Sequence, residues 1–331
     1  MSKPLESWRG VTVPDPVKTE MEALRQGLDA VIPRKRDVSR NLLIATWNIK
    51  AFSSLTEKWL ADGADSPKRD WRALWAITEI VSRFDVIAIQ EIKGDLKALR
   101  TMMKTLGPTW NFLITDITMG NSGNSERMGY IFDTSRVNLS GLAGELVIPE
   151  EEDGIIGTGA LTRQFARTPF AVSFRAGNDT FILTSLHVDF GSSSAGRIPE
   201  LKGIAEWLHA WAGRATAFGQ NFIALGDFNV DRRGDALWEA FTSTGLEVPA
   251  ELHDVRRSIF ADSDNTQLEK YYDQIAWFTS GGKRQLNLEY VTAGGFDFVS
   301  HIYTETGFTK SAIQHRLSDH YPLWAEFNCQ Q

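Results

Sequence analysis

The stretch "LLIATWNI", residues 42–49, marks the point where the chain changes from a helical and polar segment to a succession of apolar strands. Six of its eight residues are apolar, and no polar alternation divides them into an inner and an outer face. Such a run is typical of a strand covered on both faces. The segment therefore predicts a buried strand at the start of a layered domain.

The residues that follow alternate between short apolar strands and helices. "DVIAIQE" (85–91) and "NFIALGDF" (221–228) are further buried strands, and "PFAVSFRA" and "TFILTSLHV" form a hairpin around Gly177-Asn178. Strands thus come in hairpins as well as after helices. The pattern predicts an α/β (α+β) fold, in which two mixed or antiparallel β-sheets pack face to face and helices flank them.

The first 41 residues differ from the rest of the chain. Residues 17–32 place apolar side chains at helical spacing, and "PRKRDVSR" (33–40) follows as a basic linker. We predict an N-terminal extension over residues 1–41 and one α/β domain over residues 42–331. A nucleic-acid tether and a solvated connector are both compatible with the linker.

The bulk composition sets limits on function. A formal net charge of −7 argues against a broadly basic protein that coats nucleic acid, but not against a local basic groove. A single cysteine, Cys329, excludes an intrachain disulfide. Because no secretory leader or membrane-length apolar run is evident, we expect a cytoplasmic protein that does not act at membranes.

Polar side chains recur at the ends of the apolar strands. Any one of them is compatible with an ordinary turn, but six strand ends that converge indicate a site. Buried carboxylates cost several kcal/mol unless a cation or a hydrogen-bond partner compensates them. These strand-end residues are Asn48, Glu91, His187, Asp227, Asn229, Asp273, Asp319 and His320.

The ligand types indicate which chemistry such a cluster supports. Carboxylate and amide oxygens without thiolates suit Mg²⁺, with Mn²⁺ or Ca²⁺ as alternatives, rather than structural zinc. Imidazoles beside acids favour proton transfer over metal ligation. A hard cation together with acid–base pairs predicts hydrolysis of a phosphate ester.

Seven segments carry a family resemblance. In chain order they are "TWNIK", "IAIQEIK", "SERMGYIFD", "TSLHVDF", "ALGDFNV", "YYDQIAW" and "LSDHYPLW". Over about residues 42–328 the chain resembles the endonuclease/exonuclease/phosphatase superfamily, whose members include DNase I. The resemblance implies a DNase I-like four-layer sandwich.

The resemblance also implies roles for individual side chains. Glu91 is similar to the principal metal ligand of the family, with Asn48 beside it and Asp319 contributing. Asp227 and Asn229 resemble the pair that orients water and contacts the scissile phosphate.

Two histidines complete the implied catalytic set. His320 resembles one catalytic imidazole, supported by Asp273, and His187 resembles the other, with Glu126 as its carboxylate partner. Arg167 is similar to an arginine that DNase I-type members place near the phosphate, a task that suits its forked donors. A plain surface arginine is the alternative.

Three functions are compatible with these residues. The first is a Mg²⁺-dependent nuclease with DNA as its substrate, which His187 and the missing inositol-phosphatase signature around Asp273 favour. The second is an inositol phosphatase- or sphingomyelinase-like enzyme for a small-molecule or lipid phosphoester, and the third is a non-catalytic binding protein. Six cationic residues are compatible with two interpretations, a groove that binds a polyanion or scattered surface charge. They are Arg163, Arg167, Arg197, Lys202, Arg256 and Arg257.

Overall fold

A computed structural model gives the fold. It describes residues 7–118, 125–146, 167–191, 193–213, 221–261, 270–280, 283–305 and 307–329. All ten of the side chains with an implied role lie within these ranges, whereas Arg163 lies outside them.

The described residues form short and long strands with interspersed helices. The helices are α1 (Asp15–Val31), α2 (Trp71–Val81), α3 (Lys97–Leu106), α4 (Ser194–Gly213), α5 (Ala236–Thr242) and α6 (Lys310–Gln314), with 3-10 turns at Val38–Arg40 and Ala250–Leu252. The strands are β1 (Ser7–Trp8), β2 (Val11–Thr12), β3 (Leu42–Phe52), β4 (Val86–Ile92), β5 (Trp110–Ile114), β6 (Arg127–Asp133), β7 (Asn138–Glu145), β8 (Phe170–Ala176), β9 (Asp179–His187), β10 (Phe222–Val230), β11 (Leu246–Glu247), β12 (Tyr271–Ser280), β13 (Lys283–Arg284), β14 (Glu289–Gly295) and β15 (Leu323–Asn328).

Two mixed sheets dominate the structure, as the sequence predicted. The first has the strand order β14-β15-β3-β4-β6-β5, and the second has the order β11-β12-β10-β9-β8-β7, with β13 beside β12. Within each sheet one pair is parallel, β3 with β4 and β9 with β10. The predicted hairpin is present as antiparallel β8 and β9.

Strand β3 is buried on both faces because successive side chains point to opposite sides of a sheet. Leu42 and Ile44 belong to the core between the sheets, together with Leu183 and Ile223 of the second sheet. The intervening Leu43, Ala45 and Trp47 belong to a second core under α1 and α2. Helices α4 and α5 cover the second sheet through ring contacts such as Phe228 on Phe241, 4.6 Å between centroids.

The N-terminal segment packs on the domain rather than projecting from it. Helix α1 contributes buried Met21, Leu24 and Leu28 to the same core as β3. In front of it Trp8 of the β1–β2 ribbon contacts the rings of Trp59, Trp71 and Trp75, with centroid distances of 5.7 to 6.3 Å. A boundary at residue 42 stays a prediction. None of the described helices combines the length and apolar character needed to cross a bilayer.

Gly226 allows β9 and β10 to lie close together beside the predicted site. Its φ is +129°, and a Cβ added there would stand 2.1 Å from the carbonyl oxygen of Leu186. Gly234 also has a positive φ, +80°, but a Cβ there would meet no atom within 4 Å.

We expect Gly226→Ala to lower the free energy of unfolding by about 3 kcal/mol or more, because it adds a steric overlap to an unfavourable φ. Gly234→Ala, which carries only the φ penalty, should cost about 1 kcal/mol. Urea denaturation followed by tryptophan fluorescence measures both values. Equal losses in the two variants would contradict the close approach of the strands.

Candidate active site

Irregular strand ends carry the polar side chains to one place. The pairing register shifts within Asn48–Phe52 of β3, Ile89–Ile92 of β4 and Asp227–Val230 of β10. Glu91 and Asn229 have positive φ angles of 61° and 51°, which residues other than glycine rarely adopt. Such bulges redirect side chains at sheet edges and are frequent beside functional sites.

A pocket of about 270 Å³ lies at these strand ends. Eight of the ten residues with an implied role line it, and Glu91 and His320, from opposite ends of the sequence, share its wall. Glu126 and Asp273 lie directly behind the two histidines. The lining residues are Asn48, Glu91, Arg167, His187, Phe190, Asp227, Asn229, Tyr272, Asp319 and His320.

His320 forms a tight pair with Asp273. The His320 Nδ1 to Asp273 Oδ2 distance is 2.6 Å, and Asp273 is fully buried. Burial raises the pKa of Asp273 despite the nearby imidazole. Burial alone would lower the pKa of His320, but the surrounding carboxylates, Asp273 above all, outweigh it and raise that pKa well above its ordinary value. These directions describe an imidazolium held by a carboxylate at neutral pH.

His187 has a carboxylate partner of its own. Its Nδ1 lies 3.2 Å from Glu126 Oε2, and the same carboxylate receives Lys93 Nζ at 2.7 Å and faces Arg167 Nε at 3.2 Å. Burial would raise the pKa of Glu126, but the nearby His187 and the two cations lower it to about 2. Glu126 is therefore ionised at any physiological pH.

Arg167 lies in the pocket wall rather than on an open surface. Its side chain is buried, and Nη1 approaches the carbonyl oxygens of His187 and Val188 at 3.4 and 3.5 Å. Together with the Glu126 contact, this geometry makes Arg167 a support for the His187 side of the pocket.

Asp227 lies between the two histidines. Its Oδ2 is 3.7 Å from His187 Nε2 and 3.9 Å from His320 Nε2, and it accepts a 3.0 Å hydrogen bond from Asn48 Nδ2. The other oxygen, Oδ1, accepts the Asn229 backbone N–H at 3.0 Å. Asn229 in turn donates Nδ2 to the carbonyl of Val188, the residue after β9, at 2.6 Å, so the bulged end of β10 is anchored to the end of β9.

Three residues of the pocket lining, Asn48, Glu91 and Asp319, offer oxygen donors that fit a hard divalent cation. Asn48 Oδ1 is buried and has no hydrogen-bond partner among the described residues. Glu91 and Asp319 each use one oxygen within the protein, for Ala51 N at 2.9 Å and Lys50 Nζ at 2.7 Å. Burial would raise the pKa of Asp319, but His320 and Lys50 outweigh it and lower that pKa.

A second group satisfies a simple distance criterion for a metal site. One ligand atom each of Asp227, Asp273 and His320 lies within 4.8 Å of the others. We interpret this group as a proton-transfer pair next to a carboxylate, because His320 Nδ1 is already engaged by Asp273 at 2.6 Å. The surrounding carboxylates raise the pKa of His320, so Nε2 carries a proton as well and neither ring nitrogen has a lone pair to give to a metal.

Several contributors to the pocket carry no implied role in the sequence. Ser318 is fully buried, and its Oγ donates to the Asn48 carbonyl at 2.6 Å and accepts the backbone N–H groups of Lys50 and His320. Its place inside the "LSDH" segment was the available signal. Phe190 and Tyr272 also line the pocket, and neither belongs to a polar strand end.

Sequence comparison identifies the family. The sequence profile of the Endonuclease/Exonuclease/phosphatase family matches residues 45–320, and the chain therefore belongs to that family. The site and the family support phosphoester hydrolysis as the general activity. None of the curated proteins matches the sequence.

Solved structures share the fold at low sequence identity. The mannosyl-6-phosphatase Bt3783 of Bacteroides thetaiotaomicron VPI-5482 is 19% identical, with a TM-score of 0.54 over 86% of this chain and 99% of that chain. D. rerio TDP2 complexed with a single-strand DNA product is 15% identical, with a TM-score of 0.54 over 87% and 99%. The human Nocturnin catalytic domain is 15% identical, with a TM-score of 0.52 over 88% and 95%.

We expect Ser318→Ala to lower the free energy of unfolding by about 1–3 kcal/mol, because it leaves buried backbone groups of β3 and the His320 loop without partners. The exposed Ser243, whose Oγ donates to the Ala240 carbonyl at 2.8 Å, provides the matched control. Ser243→Ala should change the value by less than about 0.5 kcal/mol. Chemical denaturation distinguishes the two, and equal effects would show that Ser318 does not connect these segments.

Proposed function

We propose that the protein is a divalent-metal-dependent phosphodiesterase that cleaves DNA by direct attack of water. One observation supports this most: the Nε2 atoms of His187 and His320 face a single oxygen of Asp227 at 3.7 and 3.9 Å, and each imidazole has its own carboxylate behind it. Two oriented imidazoles on either side of a carboxylate suit a displacement in which one oxygen attacks and another leaves.

In this proposal Asn48, Glu91 and Asp319 hold Mg²⁺ or Mn²⁺. Their oxygen donors, and the unpartnered Asn48 Oδ1 in particular, match the preference of these ions. The bound cation would polarise a phosphoryl oxygen and offset the charge that develops there. Lys50, paired with Asp319 at 2.7 Å, orients that carboxylate.

The remaining residues handle protons and orientation. Asp227, held by Asn48 and the Asn229 N–H, orients the attacking water and accepts its proton. The His320 imidazolium, held by Asp273, donates a hydrogen bond to a non-bridging phosphate oxygen. His187, held by Glu126, gives a proton to the leaving sugar oxygen.

A phosphate ester of a small molecule is the second candidate substrate, and the pocket size favours it. A volume of about 270 Å³ accommodates a phosphate and its nearest groups. The cations in contact with pocket-lining residues are paired with acids, as in Arg167 with Glu126 and Lys50 with Asp319. The cytoplasmic location expected from the sequence stays a prediction.

We expect the purified protein to cleave oligonucleotide DNA with Mg²⁺ or Mn²⁺ and to lose the activity in EDTA. His187→Ala should lower kcat by about 10²–10⁴-fold, the usual contribution of a general acid. His320→Ala should lower it by about 10²–10³-fold, the usual cost of losing a hydrogen-bond donor to developing charge. His209→Ala, at an exposed position near the end of α4, is the matched control and should retain activity. Turnover of sugar phosphates or phosphoinositides without DNA cleavage would select the second candidate, and no turnover at all would favour a binding protein.

Metal titration tests the assignment of ligands independently of catalysis. We expect Glu91→Gln to weaken Mn²⁺ binding by at least about 10-fold, because it removes a charged ligand, and Asp273→Asn to change it little. Isothermal titration calorimetry measures both affinities. If Asp273→Asn weakens Mn²⁺ binding more than Glu91→Gln does, the cation binds instead at the group formed by Asp227, Asp273 and His320.

A further inference from the structure

Phe190 is an exposed aromatic side chain in the wall of the catalytic pocket. It lies three residues after the end of β9, and 53% of its surface is exposed. The other large apolar side chains with comparable exposure in the described residues are aliphatic: Val31, Leu60, Leu139 and Val291. A single exposed apolar residue needs no explanation by itself, but Phe190 is held in place by its neighbours.

A buried arginine supports the Phe190 ring from below. The Arg197 side chain is 3% exposed, and its guanidinium carbon lies 4.6 Å from the ring centroid of Phe190. Arg197 also donates Nη1 to the Phe190 carbonyl at 2.9 Å and pairs with Asp231 at 2.5 Å. Because the guanidinium covers one ring face, the opposite face is the one available to a ligand.

A row of rings connects this surface to the reacting groups. The Tyr272 ring stands edge-on to Phe190, with 6.4 Å between centroids and an interplanar angle of 77°. The centroid of the same Tyr272 ring lies 5.5 Å from that of the His320 ring. A planar group resting on Phe190 is therefore close enough to belong to the same substrate molecule as a phosphate beside His320.

We propose that Phe190, with Tyr272 at its edge, stacks against the nucleobase next to the scissile phosphate, and that the substrate is single-stranded DNA. This inference rests on the proposed function. In a duplex both faces of each base are covered by neighbouring bases, whereas a single strand presents free faces to aromatic side chains. Stacking of this kind is sequence-tolerant, so the site accepts any base.

The charge distribution agrees with stacking rather than with a groove for a duplex. Proteins that hold duplex DNA neutralise several phosphates with lysine and arginine side chains. Here the chain carries a net charge of −7, and three of the candidate groove cations are buried: Arg167 in the pocket wall, Arg197 beneath Phe190 and Arg257 beside Tyr271. Affinity for the strand then depends on the reacting phosphate and on base contacts.

A substrate-by-variant comparison tests the inference. The substrates are a single-stranded oligonucleotide, the same strand with tetrahydrofuran abasic residues around the cleaved phosphate, and the matching duplex, all with Mg²⁺. The variants are Phe190→Ala, Phe190→Trp and, as the matched control, Leu139→Ala, which truncates another exposed apolar residue in β7.

We expect Phe190→Ala to lower kcat/KM on the normal single strand by roughly 5- to 150-fold, the range that loss of one base–aromatic stack implies. The change should appear mainly in KM, and it should vanish on the abasic strand, which has no base to stack. Phe190→Trp should stay within about threefold of the unmodified protein because it keeps a π-face. Leu139→Ala should have the same kcat/KM as the unmodified protein.

The outcomes separate this inference from the proposed function. If Phe190→Ala lowers kcat/KM equally on the normal single strand and on the abasic single strand, the stacking role is overturned. The nuclease function would still stand, because both substrates are cleaved. Equal rates on duplex and single strand would overturn the assignment of a single-stranded substrate. No DNA cleavage, with turnover of sugar phosphates that depends on Phe190, would overturn both and assign the ring to a sugar.

Discussion

The site depends on keeping the Asp227 carboxylate buried between two imidazoles. A buried carboxylate without compensation costs several kcal/mol. Here the compensation comes from the Asn48 amide, the Asn229 N–H and the flanking His187 and His320 rings. Each of these partners comes from a different strand or loop, so the position of Asp227 requires both sheets to be in place.

The sandwich supplies those partners because its two parallel strand pairs end at the same edge. Strands β3 and β4 of the first sheet bring Asn48 and Glu91 to that edge, while β9 and β10 of the second bring His187 and Asp227. Bulges then turn the last side chains into the space between the sheets. Glu91, the proposed metal ligand, has a positive φ. This strained backbone conformation occurs at the residue whose side chain must turn into the pocket.

The sequence predicted the fold class correctly, and the ten side chains with an implied role lie in or directly behind one pocket, although their catalytic roles stay predictions. Eight of them stood at predicted strand ends, whereas Glu126 and Arg167 came only from the family resemblance. It did not reveal contacts that depend on distant chain segments. Lys50 pairs with Asp319 across 269 positions, and Arg197, expected in a groove or on the surface, is buried beneath Phe190. Phe190 itself follows no periodicity, since its position depends on how the loop after β9 packs.

The packing of α1 has a consequence for where the cooperative folding unit begins. Arg25 of α1 forms a 2.7 Å ion pair with Glu79 of α2, and the two helices share an apolar interface. The stretch that matches the family starts only at residue 45, after the end of α1. A fragment that began at residue 45 would lack Trp8 and α1, which cover the rings of Trp59, Trp71 and Trp75. The conserved family region and the packed structure therefore begin at different residues.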